Sequence, residues 1–501
     1  MPIGTFILAI DQGTTSSRAL VVDAGANVVG IGQQAFAQHY PRPGYVEHDP
    51  EDIWQTTLEA IATALADAGV LPSELRAIGI ANQRETVLLW DRESGEPVSP
   101  AVVWQDRRTA ARCEELRREG HESTIREKTG LALDPYFSGT KIAWLLDDTR
   151  GLRAAADAGV VAAGTIDSWL LWKLTGGARH ATDYTNASRT LLFNTATLTW
   201  DDDLLAILDV PRSLLPEVLA SSSEFGTTSS EVLGAAVPIT GIAGDQQAAL
   251  FGQAGFIRGV AKNTYGTGCF LLADTHSERI TSEHRMLVSL SAGTQPGGPG
   301  YVVEGSVFVA GALVQWLRDE LRIVRRSDEI EALACSVPDN GGVTIVPAFT
   351  GLGAPDWDPY ARGAILGLTR GVTRAHIARA ALESIALAST ELLKAVQGDV
   401  GGHIVELRVD GGAARNNLLM QMQADFAGLP VVRPRNIETT AMGAAYLAGI
   451  GAGIWSGQEE VAELWQPGDI FEPGLGIFQR RDKLTEWRRA VERTLGWARP
   501  E

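Results

Sequence analysis

Ile10-Asp11-Gln12-Gly13-Thr14-Thr15-Ser16-Ser17-Arg18 decides how the chain is read. An apolar run, residues 6–10, leads into it and a second, mostly apolar run, 18–23, leads out, so the segment predicts strand, tight polar turn, strand. A loop that handles phosphate needs convergent backbone N–H donors, short hydroxyl side chains and few bulky groups. Gly13, Thr14, Thr15, Ser16 and Ser17 supply these, and Arg18 adds a nearby cation. Asp11, ending the first strand, is placed to hold magnesium, directly or through water. The same letters also fit a plain β-hairpin with a polar turn. No Gly-Lys dipeptide occurs and no GxGxxG follows the first strand, so neither a P-loop nor a dinucleotide-binding fold is supported.

A related pattern returns half a chain later. Residues 259–263, the turn Thr264-Tyr265-Gly266-Thr267-Gly268, and residues 269–273 read as a second hairpin. The pair predicts a duplicated core or two unrelated hairpins. Three more strand-length runs end in polar or glycine-rich turns: 77–81 before Asn82-Gln83-Arg84-Glu85, 238–243 before Gly244-Asp245-Gln246, and 407–409 before Asp410-Gly411-Gly412. Ligands of open α/β sheets sit at such strand ends. Helical spacing of apolar residues marks 50–66, 307–321, 374–396 and 416–427. The class is α/β with mixed sheets, divided between 1–252 and 253–501 by a hinge rather than a loose tether.

Composition bounds the function. At 501 residues the chain is too long for one core, and two domains of roughly 250 residues are expected. A net charge of -18 with no basic block opposes binding to nucleic acid or anionic lipid. Cys113, Cys269 and Cys335 lie far apart without a CxxC pair, which argues against disulfides and zinc and fits a reducing cytoplasm. The start, residues 1–13, lacks the basic region of a signal peptide. Residues 439–458 are uncharged but rich in Gly and Ala, which predicts a buried helix and loop rather than a membrane span.

The hairpin 10–15, Tyr45-Val46-Glu47-His48-Asp49-Pro50, residues 136–144 (YFSGTKIAW), 242–252 (IAGDQQAALFG), 363–386 and Val409-Asp410-Gly411-Gly412-Ala413 together resemble the FGGY carbohydrate kinase family, almost end to end. The resemblance implies two duplicated actin/Hsp70-like (ribonuclease H-like) domains, mixed sheets flanked by helices, with ATP and substrate in an interdomain cleft. It is most specific to the members that phosphorylate glycerol, a reaction of glycerol catabolism giving sn-glycerol 3-phosphate and ADP. It implies polyol contacts from Arg84, Glu85, Trp104, Tyr136, Asp245, Gln246 and Phe270, with Asp245 as general base. For the nucleotide it implies Thr14, Thr15, Ser16 and Arg18, then Thr267, Gly311, Gln315, Gly412 and Asn416; for Mg²⁺, Asp11 and Asp245. A soluble cytoplasmic homo-oligomer, dimer or tetramer, is also implied. Taken singly, Trp104 and Phe270 read as core, Arg84 with Glu85 as a surface pair, Asp245 as a turn residue and Gly311 as a helix-packing glycine.

Departures bear on regulation. Where several bacterial members carry a Gly-x-Arg loop that receives fructose 1,6-bisphosphate, residues 226–237 (GTTSSEVLGAAV) have no cation, and they lack the histidine that some members have phosphorylated. Residues 473–478 do not resemble a phosphotransferase docking site, and Arg415 stands where a small residue is usual. The competing expectations are a kinase of the same family acting on another polyol or a pentulose, and a non-catalytic ATP-driven switch. The Arg84-Glu85 pair beside a carboxylate base argues against the switch.

Overall fold

The computed structural model describes residues 5–294, 298–402 and 404–499, so the first four residues of the 1–13 start lie outside it. Its frame is two sheets of matching topology. In the first, β1 (Phe6–Gln12), β2 (Ser16–Asp23) and β3 (Val28–Ala35) form an antiparallel meander. Parallel strands β4 (Leu75–Asn82) and β6 (Pro238–Gly244) continue from β1, and β5 (Ser222–Thr227) pairs antiparallel with β6 at the edge.

The second sheet repeats this order. Strands β7 (Val260–Tyr265), β8 (Cys269–His276) and β10 (Tyr301–Val307) are the meander, with β9 (Leu287–Leu290) added outside it. Strands β11 (Glu406–Asp410) and β12 (Val431–Pro434) continue in parallel, and β13 (Pro467–Phe471) closes the edge antiparallel. Of the two sequence-level alternatives, the duplicated core is the one observed.

Six helices matter for the site: α1 (Pro50–Ala68), α2 (Asp245–Gly252), α3 (Gly311–Asp319), α4 (Arg374–Asp399), α5 (Asn417–Ala427) and α6 (Thr439–Gly451). The Tyr45–Pro50 motif has a structural use: Asp49 caps α1, accepting from Glu51 N at 2.9 Å, with Pro50 in the first turn. Periodicity placed a helix over 307–321, yet its first residue continues β10, since Val307 pairs with Cys269 in the ladder. The helix begins at Gly311, where Ala310 N donates to Thr267 O at 2.8 Å.

The two halves meet along α6, the Gly/Ala-rich segment, which lies buried against the first sheet. Among the described residues no helix is long and apolar enough to cross a membrane. A β-carbon on Gly79 would stand 2.1 Å from Ala444 O, and one on Gly443 would stand 1.8 Å from Ala248 O of α2. Only glycine lets backbone approach backbone at these points. Thr240 Oγ1 and Ser222 Oγ reach across to the carbonyls of Ala448 and Leu447 at 2.8 and 2.9 Å. The three cysteines are unpaired, Cys113 and Cys269 buried and Cys335 exposed. Gly443→Ala therefore overpacks the α2–α6 crossing and should lower stability by about 1–3 kcal/mol in urea unfolding, whereas Gly371→Ala, whose β-carbon meets only Thr369 Oγ1 at 4.0 Å, leaves the crossing intact.

Candidate active site

The carboxyl ends of β1, β4 and β6 converge, bringing Asp11, the Asn82–Glu85 turn and Asp245 together. Asn82 is fixed by Asn186 Oδ1 at 3.0 Å and Asp167 Oδ1 at 3.3 Å, and Gln83 Nε2 donates to Gln12 Oε1 and Gly13 O, both at 3.1 Å. This ties the turn to the phosphate hairpin. Glu85 has a left-handed backbone, φ +62°, an uncommon conformation for a branchless acidic side chain away from a glycine. Its carbonyl is held by Ser138 Oγ at 3.0 Å and by buried Lys141 Nζ at 3.3 Å.

Arg84 and Glu85 are not a surface pair: both are almost wholly buried, in a four-membered ion network. Arg84 forks onto Glu304 with contacts of 2.6 and 2.7 Å, donates to Gln247 Oε1 at 3.1 Å, and sets its Nε 3.1 Å from Asp245 Oδ1. Arg189 Nε donates to Glu85 Oε1 at 2.5 Å, and its Nη1 lies 3.3 Å from Glu304 Oε2. Burial raises the Glu304 carboxyl, but Arg189 and Arg84 outweigh it and bring it down to about 2. Burial dominates at Glu85, whose carboxyl is raised despite Arg189 and Arg84. Among the described residues no donor reaches Glu85 Oε2 and nothing bonds the Tyr136 hydroxyl. Arg84 also retains two of its five N–H groups, one on Nη2 and that of Nε, which lies 3.1 Å from Asp245 Oδ1 without a hydrogen bond. One acceptor, one hydroxyl and two Arg84 donors thus stand unanswered beside Asp245, and Arg189 Nη1 and Nη2 are likewise without hydrogen-bond partners.

Aromatic residues cluster around Tyr136. Trp104 packs edge-on against Tyr136 at 5.7 Å and Phe270 at 5.9 Å, and its Nε1 donates to Thr14 Oγ1 at 3.0 Å. Asp245 opens α2 with a side chain 27% exposed, against 1% for Arg84 and 2% for Glu85, so it is the accessible acid of the group. Gln246 binds it through N at 2.7 Å and Nε2 at 3.1 Å, and buried Lys262 Nζ donates to Gln246 Oε1 at 2.7 Å.

On the nucleotide side, Thr14, Thr15 and Ser16 form the hairpin tip, with Ser16 Oγ accepting from Gln33 Nε2 at 2.9 Å. Arg18 is engaged across the halves with Glu438 and with Gln33 Oε1. Thr267 is exposed at the tip of the second hairpin. The space beside Gly311 is taken by Gly266 O, 2.5 Å from where a β-carbon would be, so close packing accounts for this glycine. Gln315 is exposed on α3 one turn on. Gly412 has open space where a β-carbon would be, and Asn416 caps α5, accepting from Leu419 N at 2.8 Å. Arg415 borders an open basin of about 410 Å³ together with Arg433 and Arg435.

Residues 6–252 match the N-terminal domain of the FGGY family of carbohydrate kinases, and 261–452 match its C-terminal domain. The chain belongs to the FGGY carbohydrate kinases. This FGGY kinase is 60% identical over 493 residues to a glycerol kinase of Aromatoleum aromaticum, covering 98% of this chain and 99% of the relative. It is 57% identical over 492 residues to that of Deinococcus radiodurans, covering 98% of each. Among solved structures it is similar to Plasmodium falciparum glycerol kinase with ADP, with a TM-score of 0.89 and 36% identity over 98% of each chain. Xylulose kinase from Rhodospirillum rubrum has a TM-score of 0.81 and 25% identity over 97% of each.

Sequence reading missed Glu304, Arg189 and Lys262. A signal existed in two of them: Glu304 and Lys262 are charges inside otherwise apolar strand runs. The residues present fit Mg²⁺ held partly through water and phosphate oxygens. Asp11 is pushed up to about 7, first by burial, with Arg18 opposing and the charges of Asp245, Glu438 and Asp410 adding to it, and these carboxylates are the hard oxygen donors that suit the ion. Among the described residues no set of three or more His, Cys, Asp or Glu could grip a metal unaided. With its folded value above 3.8, Asp11 contributes stability that is present at low pH and lost as pH rises through about 7. Asp11→Asn should accordingly gain stability over the wild type in ligand-free urea unfolding at pH 8, and the advantage should shrink at pH 5.

Proposed function

We propose that this FGGY kinase phosphorylates glycerol, transferring the γ-phosphoryl group of ATP to a primary hydroxyl to give sn-glycerol 3-phosphate and ADP. The observation that carries the reading is the buried ion network beside Asp245, where Glu85 Oε2, Tyr136 Oη and two Arg84 N–H groups make no hydrogen bond, with Trp104 packed edge-on against Tyr136 and Phe270. A triol offers both donors and acceptors to match them, and its carbon chain fits between aromatic faces. Identity of 56–60% along nearly the whole chain to proteins named glycerol kinase supports the choice over other family members.

In this reading Asp245 accepts the hydroxyl proton as the oxygen attacks the γ-phosphorus and the bond to ADP breaks. Arg84 Nε and Gln246 hold the carboxylate in place, and Lys262 fixes Gln246. Gln246 also lies beside the substrate. Mg²⁺, when bound near Asp11 and Asp245, neutralises phosphate charge. Thr14, Thr15, Ser16, Arg18 and Thr267 face the phosphates, while Gly311, Gln315, Gly412 and Asn416 surround the adenosine. Residues 1–252 then carry the polyol and the first hairpin, and 253–501 the nucleotide. Positioning and charge neutralisation supply most of the acceleration, since general-base help is worth roughly 100 to 10,000-fold. A cytoplasmic dimer or tetramer belongs to the same proposal, and light scattering checks the assembly.

Asp245→Asn should keep glycerol affinity near the wild-type value while kcat falls roughly 100-fold or more. Near-normal turnover would remove Asp245 from the role. Coupled ADP release should be fast with glycerol or dihydroxyacetone and slow with erythritol, xylulose and ribulose. Activity on the longer sugars alone would keep the family and discard the pocket reading.

A further inference from the structure

A cavity of about 610 Å³ between the halves is lined by none of the residues assigned above to polyol, nucleotide or metal. Its size is that of small-molecule sites, roughly 300–1,000 Å³. The N-terminal half contributes helices Ala110–Arg118 and Glu122–Thr129 and the loop 130–135; the C-terminal half contributes 285–287 and the loop 349–362.

Its charge is opposite to that of the chain. Five arginines face three carboxylates, in a protein of net charge -18. Arg117 is answered by Glu114 and Glu122, and Arg107 by Asp134 at 2.6 Å. The other three have no carboxylate partner among the described residues. Arg126 donates to Ser282 O at 2.9 Å, Arg285 to Asp356 O at 2.8 Å, and Arg362 to Pro359 O and Ala361 O at 2.9 and 2.7 Å. Carbonyls satisfy a few N–H groups but leave the charge. An anion with several acceptor oxygens would answer all three, as guanidinium does with phosphate. Leu133, Met286 and Trp357 add apolar wall, which suits an organic body beside the anion.

We propose that this cavity is a second ligand site, for a small phosphorylated organic molecule, and that its occupancy slows turnover. Arg126 stands on one half and Arg285 and Arg362 on the other, so a bound anion ties the halves together and retards the opening that releases product. The cavity also touches the polyol wall. Asp134 Oδ1, which accepts from Arg107, accepts from Tyr136 N at 2.9 Å, and the Arg107 guanidinium lies 5.4 Å from the ring of Phe308, itself edge-on to Tyr136 at 6.4 Å.

Calorimetric titration of the full chain tests this, with glycerol 2-phosphate and inorganic phosphate as probes and the catalytic cleft filled by glycerol and a Mg²⁺-bound non-hydrolysable ATP analogue. The expected result is one saturable site, tighter for the ester, weakened about tenfold or more in the Arg126→Ala/Arg285→Ala/Arg362→Ala variant. That variant should keep wild-type KM values for ATP and glycerol and lose the inhibition of kcat by glycerol 2-phosphate. Equal affinity in the variant, or no saturable binding of either probe to the wild type, would overturn the proposal. Should the triple variant fail to fold, Arg362→Ala alone, whose side chain bonds only its own loop, is read by the same titration.

Discussion

The bidentate contact between Arg84, at the end of a strand of the first sheet, and Glu304, within a strand of the second, is the interaction on which the site depends. Neither residue is exposed, and without the other Glu304 would keep only Arg189, at 3.3 Å, while Arg84 would lose its one bidentate partner. Desolvating ions is costly, and deleting one partner of such a pair typically costs 3–5 kcal/mol because the other is stranded. The arrangement therefore exists only when the halves are closed on each other. Closure also orders the rest: Arg189 aligns Glu85 against the same network, and Arg84 Nε fixes Asp245.

A second constraint makes closure reproducible. The backbones of α2 and α6 cross with glycine at the contact, and α6 lies directly on the first sheet at Gly79 and Gly241. Backbone touching backbone leaves no long side chains to repack, so the halves share a short, stiff seam. The indole of Trp104, bonded to Thr14, links the proposed polyol wall to the first hairpin. In the proposed assignment, substrate and nucleotide sites are thus built on common pieces.

Much of this was legible locally. Strand, polar turn, strand is a short-range pattern, so both hairpins and the ends of β4, β6 and β11 were readable from residue order, including Asp11 and Asp245. The catalytic neighbourhood of Arg84 and Glu85 was not, because their partners lie 220 and 104 residues away. Sequence order cannot distinguish an exposed Arg-Glu pair from a buried one. The start of α3 was misplaced for a related reason: Val307 is apolar at helical spacing, but the ladder with Cys269 claims it for the sheet. Gly311, read singly as a helix-packing glycine, packs as one, with Gly266 O 2.5 Å from where a β-carbon would be.

A double-mutant cycle on Arg84→Met and Glu304→Met, read as kcat/KM for glycerol at saturating ATP and Mg²⁺, tests most directly whether the cross-cleft pair builds the site. If it does, the two substitutions are strongly non-additive: the double variant loses far less than the product of the single losses, by at least about tenfold, a coupling of about 1.4 kcal/mol. Single effects that multiply to within about twofold would mean that Arg84 acts without Glu304.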